Sequence, residues 1–304
     1  MTVDRYHYYM VTFLQQLVNG LAISTVYVLV GLGLTVVYGL TRLINFAHGQ
    51  FVVLGAFGAY SLVRAGLSFW LAVPLSALGV AVLAYFLDRL ILRKSIDRPI
   101  NGFIVSMGVV IVLQTLSVMA WSAESFRVPS PLSGVWNIAG VLISHERGLL
   151  LGTTAGMLLA LYLILTRTDL GRSMRAVAEN RTAALLMGID VGRVISAAFV
   201  ISAIMAAVAG ALLGAIFPFN AYWGTGFLIK GLAVALIGGL GNVPGAVTAG
   251  FLLGITETML AAYGLPLPGG LHMGAEWQDG FAFALMIAIL IWRPEGLFTR
   301  SRTA

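Results

Sequence analysis

Nine apolar runs, near residues 13–38, 46–64, 67–87, 100–120, 149–166, 194–218, 227–242, 244–263 and 279–292, leave this chain little polar sequence from which to build a water-soluble domain. An α-helix needs about twenty apolar residues to cross a bilayer, and helices satisfy their own backbone hydrogen bonds in lipid. Composition points the same way: 59% of residues are hydrophobic, 10% are charged and the mean hydropathy is +0.95, whereas soluble domains carry about 25% charged residues. The sequence therefore predicts an all-α polytopic membrane protein, a single transmembrane domain over 1–304 formed by a bundle of about 8–9 helices with broken or re-entrant segments. The runs at 46–64 and 227–242 are the weak ones, because glycine or polar residues interrupt each. If one of them dips in without crossing, the count falls by one.

Charge is confined to the connections. Arg89, Arg93, Lys94 and Arg98 fall in 88–98, five arginines fall in 167–193, and Arg293, Arg300 and Arg302 follow the last run. By the positive-inside bias these three segments, and the C-terminus, belong on the cytoplasmic side of a bacterial inner membrane. Segment 121–148, where Arg127 and Arg147 are balanced by Glu124 and Glu146, and segment 264–278, with only Glu276, belong outside. The isoelectric point near 9.8 is thus a topological signal and not a basic face for nucleic acid. With no cysteine, disulfide frameworks and thiolate sites are excluded. The apolar run from Val11 towards Leu40 is too long for a removable signal core, so the first span is expected to stay. Its Gln15, Gln16 and Asn19 suggest burial against protein.

Several polar interruptions are candidates for function. Residues 171–193, GRSMRAVAENRTAALLMGIDVGR, place Arg172, Arg175, Arg181 and Arg193 against Glu179 and Asp190. Their Met174, Val177, Ala178, Leu185 and Leu186 recur at helical spacing. The expectation is a compact basic helix on the inner face, docked onto something there. Between the first two runs, Arg42, Asn45, His48, Gly49 and Gln50 cannot face lipid without losing hydrogen bonds. They form either a short inside turn, with Asn45 capping the next helix and His48 at the surface, or a polar constriction in which Asn45, His48 and Gln50 line a solute path. At 237–250, Gly238, Gly239, Gly241, Asn242 and Pro244 read as one helix ending and another starting, with turn chemistry or gating as the two explanations. Lys230 is expected to snorkel to the outer interface. Glu257 sits mid-run, where a charge costs about 2.5–3.5 kcal/mol. It is expected to face protein or a water-filled path. Asp88 and Arg64 read as topological. Four-residue glycine pairs, Gly210/Gly214 and Gly250/Gly254, favour close helix approach over a pore wall. No nucleotide-binding, zinc-protease or serine-hydrolase motif occurs. The chain reads as no enzyme, with neither cofactor nor metal of its own.

The segments YGLTRLINFAHGQFVVLGAF, LGRSMRAVAENRTAALLMGIDVGRVISAAFVISAIMAAVAGALLG, LIGGLGNVPGAVTAGFLLGITE and FALMIAILIWRPEGLF closely resemble the permease subunits of branched-chain amino acid ABC importers. The nearer match is the more hydrophobic, shorter-looped of that system's two permease types. The resemblance implies that 171–193 is a cytoplasmic coupling loop seated in a groove of the ATPase. Glu179 and Gly188 would then stand at the loop's acidic and glycine positions, followed by Asn180 after Glu179, with Arg172, Arg175 and Arg181 as basic surface. It implies two ATPase subunits that bind ATP and Mg, a second and nonidentical permease subunit, an extracytoplasmic solute-binding protein, and a branched-chain or related amino acid as cargo. Similar importers carry urea or other small organic solutes, and Gln50 stands where an acidic residue is common in relatives. A self-sufficient ion-coupled transporter using Glu257 and His48, a passive channel built on the polar interruptions, and a membrane scaffold are the readings outside that family.

Overall fold

Small residues, more than hydropathy, decide which helices take the centre. The computed structural model describes residues 2–95, 99–266, 272–274, 277–293 and 296–298; Arg98, Glu276, Arg300 and Arg302 lie outside them. Helices α1 (Thr2–Thr41), α2 (His48–Arg64), α3 (Phe69–Leu90), α4 (Pro99–Trp121) and α5 (His145–Arg167) are followed by two short helices, α6 (Asp169–Glu179) and α7 (Arg181–Leu186). The chain then forms α8 (Val191–Ile216), α9 (Trp223–Gly238), α10 (Val243–Tyr263) and α11 (Gln278–Trp292). Six of these, α1, α3, α4, α5, α8 and α10, are long and apolar enough to cross a membrane. The chain is an all-α polytopic membrane protein.

Helices α1 and α8 are buried along most of their apolar length, while α4 and α5 turn most of theirs outward. Glycine explains the centre. A Cβ on Gly250 or Gly254 of α10 would sit 2.5 Å from Val28 or 2.4 Å from Ser24 of α1, and one on Gly210 of α8 would sit 1.9 Å from the Val52 carbonyl of α2. These helices touch backbone to backbone, as small-residue spacing permits in lipid. On α4, by contrast, Ile100, Ile104, Ile111 and Met119 point outward as large exposed apolar side chains. The two weak runs of the sequence are α2 and α9, both largely buried by neighbours. Their interruptions weaken a hydropathy signal because these helices face protein.

The two ends of the bundle differ. One end, the basic end, collects the close of α3, a 3-10 turn at Leu92–Ser95, α6, α7, the start of α8 and the α9–α10 connection. Asp88 is fully buried there, paired with Arg93 at 3.0 Å and accepting from Ser196 at 2.5 Å, while Arg93 also donates to the Gly192 carbonyl at 2.7 Å. It fastens α3 to α8, a role beyond the topological one expected. At the opposite end, β1 (Val135–Ile138) and β2 (Val141–Ser144) form an antiparallel hairpin. Its turn uses Ala139 and Gly140, both at positive φ, as two-residue hairpins require. Gln15 of α1 binds both backbone groups of Leu142, at 2.9 and 2.8 Å, so the expected burial of this polar stripe against protein is observed as docking to the hairpin.

Candidate functional site: two helix starts inside the bundle and a helix pair at its basic end

The first polar interruption turns inward. Helix α1 ends at Thr41, whose hydroxyl donates to the Val37 carbonyl and accepts from the Leu43 amide; Arg42 takes positive φ. The chain then climbs back into the bundle. His48, first residue of α2, lies level with Val30 and Gly33 of α1, about 12 Å before that helix ends, since eight residues rise 1.5 Å each. Its ring bridges two helices, Nε2 to the Val30 carbonyl at 3.1 Å and Nδ1 to Ser202 Oγ of α8 at 3.1 Å. Gly33 makes the space: a Cβ there would lie 2.6 Å from the His48 ring. His48 is thus a buried strut, and its expected place at the surface is not observed.

Asn45 is buried too. Its Oδ1 accepts from the Ala47 amide at 3.1 Å, while the N-cap position is Ala47, without a side-chain cap bond. Asn45 therefore closes a local turn and does not cap α2. It borders a void of about 20 Å³ beside Ser106 and Phe199, large enough for one water. Gln50 is 1% exposed, and neither atom of its amide has a hydrogen-bond partner among the described residues. Such a group costs about 1–3 kcal/mol.

Helix α9 starts at the same level. Gly224 in its first turn packs on Gly49 in the first turn of α2, so closely that a Cβ on Gly49 would lie 2.2 Å from the Gly224 carbonyl oxygen. Like α2, α9 begins without a side-chain cap, at Tyr222. Ser144, Thr168, Asn180, Asp190 and Asn242 cap α5, α6, α7, α8 and α10. Two helix starts, positive ends of their dipoles, thus lie side by side, that of α2 buried and that of α9 open on one face, where Tyr222, Thr225 and Gly226 are exposed.

Lys230 on α9 is not the interfacial anchor expected. It is 7% exposed and bonded to Glu257 of α10 and, at 2.8 Å, to Asp279 of α11, with its amine 5.5 Å from the Tyr27 ring. Glu257 is 1% exposed. A lysine three residues past an apolar residue near a helix start reads as a snorkeller only if the helix begins at the membrane surface, and α9 begins deeper. Sequence spacing could not pair positions 230 and 257 across two helices.

The α9–α10 connection is main-chain work. Gly239 and Gly241 take positive φ, and Asn242 Oδ1 caps α10 by accepting from Gly245 at 3.0 Å, with Pro244 in its first turn. A Cβ on Gly238 would meet Gly245 and Ala246 at 2.5 Å. The tail straps this turn: the Leu297 amide donates to the Ile237 carbonyl and Asn242 Nδ2 to the Phe298 carbonyl, both at 2.8 Å.

Residues 171–193 form two helices where one was expected. Asn180 leaves the helical region, ends α6 and caps α7 by accepting from Ala183 at 3.0 Å. In α6, Met174 and Val177 face the bundle, and a Cβ on Gly171 would lie 2.2 Å from the Ile164 carbonyl of α5. The break redirects the rest of the segment. Leu185, Leu186 and Met187 are 54%, 84% and 82% exposed, where a continuous helix would have put Leu185 on the buried face of Met174. Gly188, at φ 80, ends α7 with the Ile189 amide donating to Ala184 and its own amide to Leu185, the paired bonds of a left-handed helix stop. Arg172, Arg175, Glu179 and Asn180 are exposed and Arg181 is half-buried. Arg172 pairs with Asp169. A cleft of about 440 Å³ brings Arg175 of α6 to Gly241, Asn242 and Pro244.

The family model for "Branched-chain amino acid transport system / permease component" matches residues 16–290. The chain belongs to this family. Relatives agree over nearly the full length. The high-affinity branched-chain amino acid transport system permease protein LivH of Escherichia coli is 32% identical over 95% of this chain and 96% of its own length, and BraD of Pseudomonas aeruginosa is 34% identical over 97% of each. The permease protein LivM of Salmonella typhimurium is 27% identical over 92% of this chain and 69% of its own. Among solved structures, PsaBC from Streptococcus pneumoniae in complex with Fab matches with a TM-score of 0.53 at 12% identity, covering 92% of this chain and 91% of that one, a likeness of fold. The family's relatives are transport permeases, not enzymes.

Proposed function

We propose that this chain is one membrane-spanning subunit of an ATP-driven importer for branched-chain or related amino acids, with its basic end in the cytoplasm of a bacterial inner membrane. Of two ATPase subunits, which bind ATP and Mg, one seats on α6 and α7; a second, nonidentical permease completes the path; a solute-binding protein delivers cargo at the opposite end. The observation that carries this reading is the tip Leu185–Leu186–Met187, three large exposed apolar side chains at the end of the bundle that also carries the exposed Arg172 and Arg175. An apolar knob in water has nothing to gain unless a partner groove receives it. Its mounting is rigid, because α6 lies directly against α5 and the Gly188 stop delivers the chain straight into α8. A push on the tip therefore reaches two bundle helices. Arg175 also borders the α9–α10 turn, which ties Gly238, Gly239, Gly241, Asn242 and Pro244 to the same motion as a hinge. Asn45, His48, Gln50 and Glu257 are the polar groups available to a path through the interior.

The test is Leu186→Asp, alone and with Met187→Asp, in the assembled complex. Membrane insertion stays intact, while ATPase co-purification and substrate-coupled ATP hydrolysis fall at least tenfold. Coupling that survives both substitutions, or uptake by the permeases without any ATPase, sinks the assignment.

A further inference from the structure

The polar stripe of α1 leads to a second place where cargo chemistry is legible. At the end of the bundle opposite the basic one, a cavity of about 450 Å³ opens between α1, α5, α8, α10 and α11, within the range of small-molecule sites. Gln16, Asn19 and Arg147 form its polar side, and Ile23, Leu150 and Phe217 belong to its apolar side. Arg147 stands in the first turn of α5 and donates through Nη1 to Asn19 Oδ1. No carboxylate among the described residues lies within ion-pair distance of it, unlike its neighbour Glu146, which is engaged by Arg127 at 3.6 Å. A guanidinium has five N–H donors, so most of those on Arg147 meet no acceptor among the described residues. Gln16 Oε1 accepts from Asn19 Nδ2 at 3.1 Å and keeps a second lone pair. The described lining includes no aspartate or glutamate.

We propose that this cavity is an entry site for an aliphatic α-amino acid. The carboxylate sits on the Arg147 guanidinium in the two-pronged geometry that arginine offers to carboxylates, the ammonium meets the remaining lone pair of Gln16 Oε1, and the hydrocarbon side chain lies against Ile23, Leu150 and Phe217. A cation beside an apolar wall selects an apolar carboxylate over both a neutral polar solute such as urea and a cationic one. Asn19 holds the guanidinium in place, and Gln15 holds the same stretch of α1 to the β-hairpin, so the site is tied to the surface on which a delivering protein would land.

The proposal deepens the reading of the chain as an amino-acid permease subunit and rests on it, yet its binding step is measured separately from transport. The chain has no cysteine, so Ala262→Cys, on the cavity wall, is a single reporter. In the assembled complex, saturating leucine slows maleimide labelling of Ala262→Cys at least threefold. Leucinamide, which lacks the carboxylate, and urea do not. Adding Arg147→Gln removes the leucine protection, and Arg147→Lys restores part of it. Equal protection by leucine and leucinamide, no protection by either, or leucine protection unchanged in Arg147→Gln overturns the site. Protection that persists while the complex accumulates no leucine leaves the site standing and rejects the transport reading instead.

Discussion

The connections at 42–47 and 239–242 each join two helices, yet they are built from different materials. The first is made of side chains. Thr41, Asn45 and His48 replace helix hydrogen bonds with partners on the turn itself, on α1 and on α8, and all three are buried. The second is made of glycine, with positive φ at Gly239 and Gly241 and a strap from 297–298. A break inside a bundle must supply its own polar partners because water is excluded. A break at the rim can rely on backbone freedom and a local cap. The contrast sets an interior break held by buried side chains against a rim break held by backbone geometry, a cap and a strap.

If that contrast holds, the largest loss comes from Gly49→Ala. Its methyl group would meet the Gly224 carbonyl at 2.2 Å, main chain against main chain, and the expected cost is about 3 kcal/mol. It is read as a lower thermal unfolding midpoint in detergent with poor monodispersity; an unchanged midpoint would mean the two helix starts are not in contact. His48→Leu comes next. It strips the Val30 carbonyl and Ser202 hydroxyl of their ring partner, and about 2 kcal/mol is expected for buried groups left unmatched, measured the same way. Gly241→Ala costs less, about 1–2 kcal/mol for forcing a side chain to positive φ. It slows uptake more than it lowers the midpoint if the turn pivots, and lowers both in proportion if it does not. The smallest change has the opposite sign. Gln50→Leu removes an amide with no partner among the described residues and raises stability by about 1 kcal/mol, while uptake in proteoliposomes falls if the amide serves the path. A variant that is more stable and fully active would remove Gln50 from the path and leave it an unexplained polar residue.

Much of the fold was legible because lipid imposes one rule on every span. Each of the nine apolar runs became a helix, with boundaries moved by the caps: α9 stops at Gly238, before the expected 242, and α5 starts at His145, before 149, behind Ser144. Gly210, Gly250 and Gly254 serve the close approach expected of the glycine pairs, while Gly214 makes room for the side chains of Phe219 and Val128. The site was less legible. Asp88 with Ser196, and Lys230 with Glu257, are pairs separated by 108 and 27 positions, and nothing local links them. The single helix expected over 171–193 failed at Asn180. Its apolar spacing on both sides was helical, but an Asx side chain competes for the backbone and here starts a new helix.

Taken by itself, the sequence determined the solvent, the helical spans and the family of this chain, because apolar length, charge placement and motif order are properties of contiguous segments. Tertiary structure decided which helices are central, where α2 and α9 begin in depth, which buried charges meet, and that Leu185, Leu186 and Met187 are exposed. Those outcomes depend on backbones approaching through glycine and on partners far apart along the chain, and such approaches exist only once the bundle has closed.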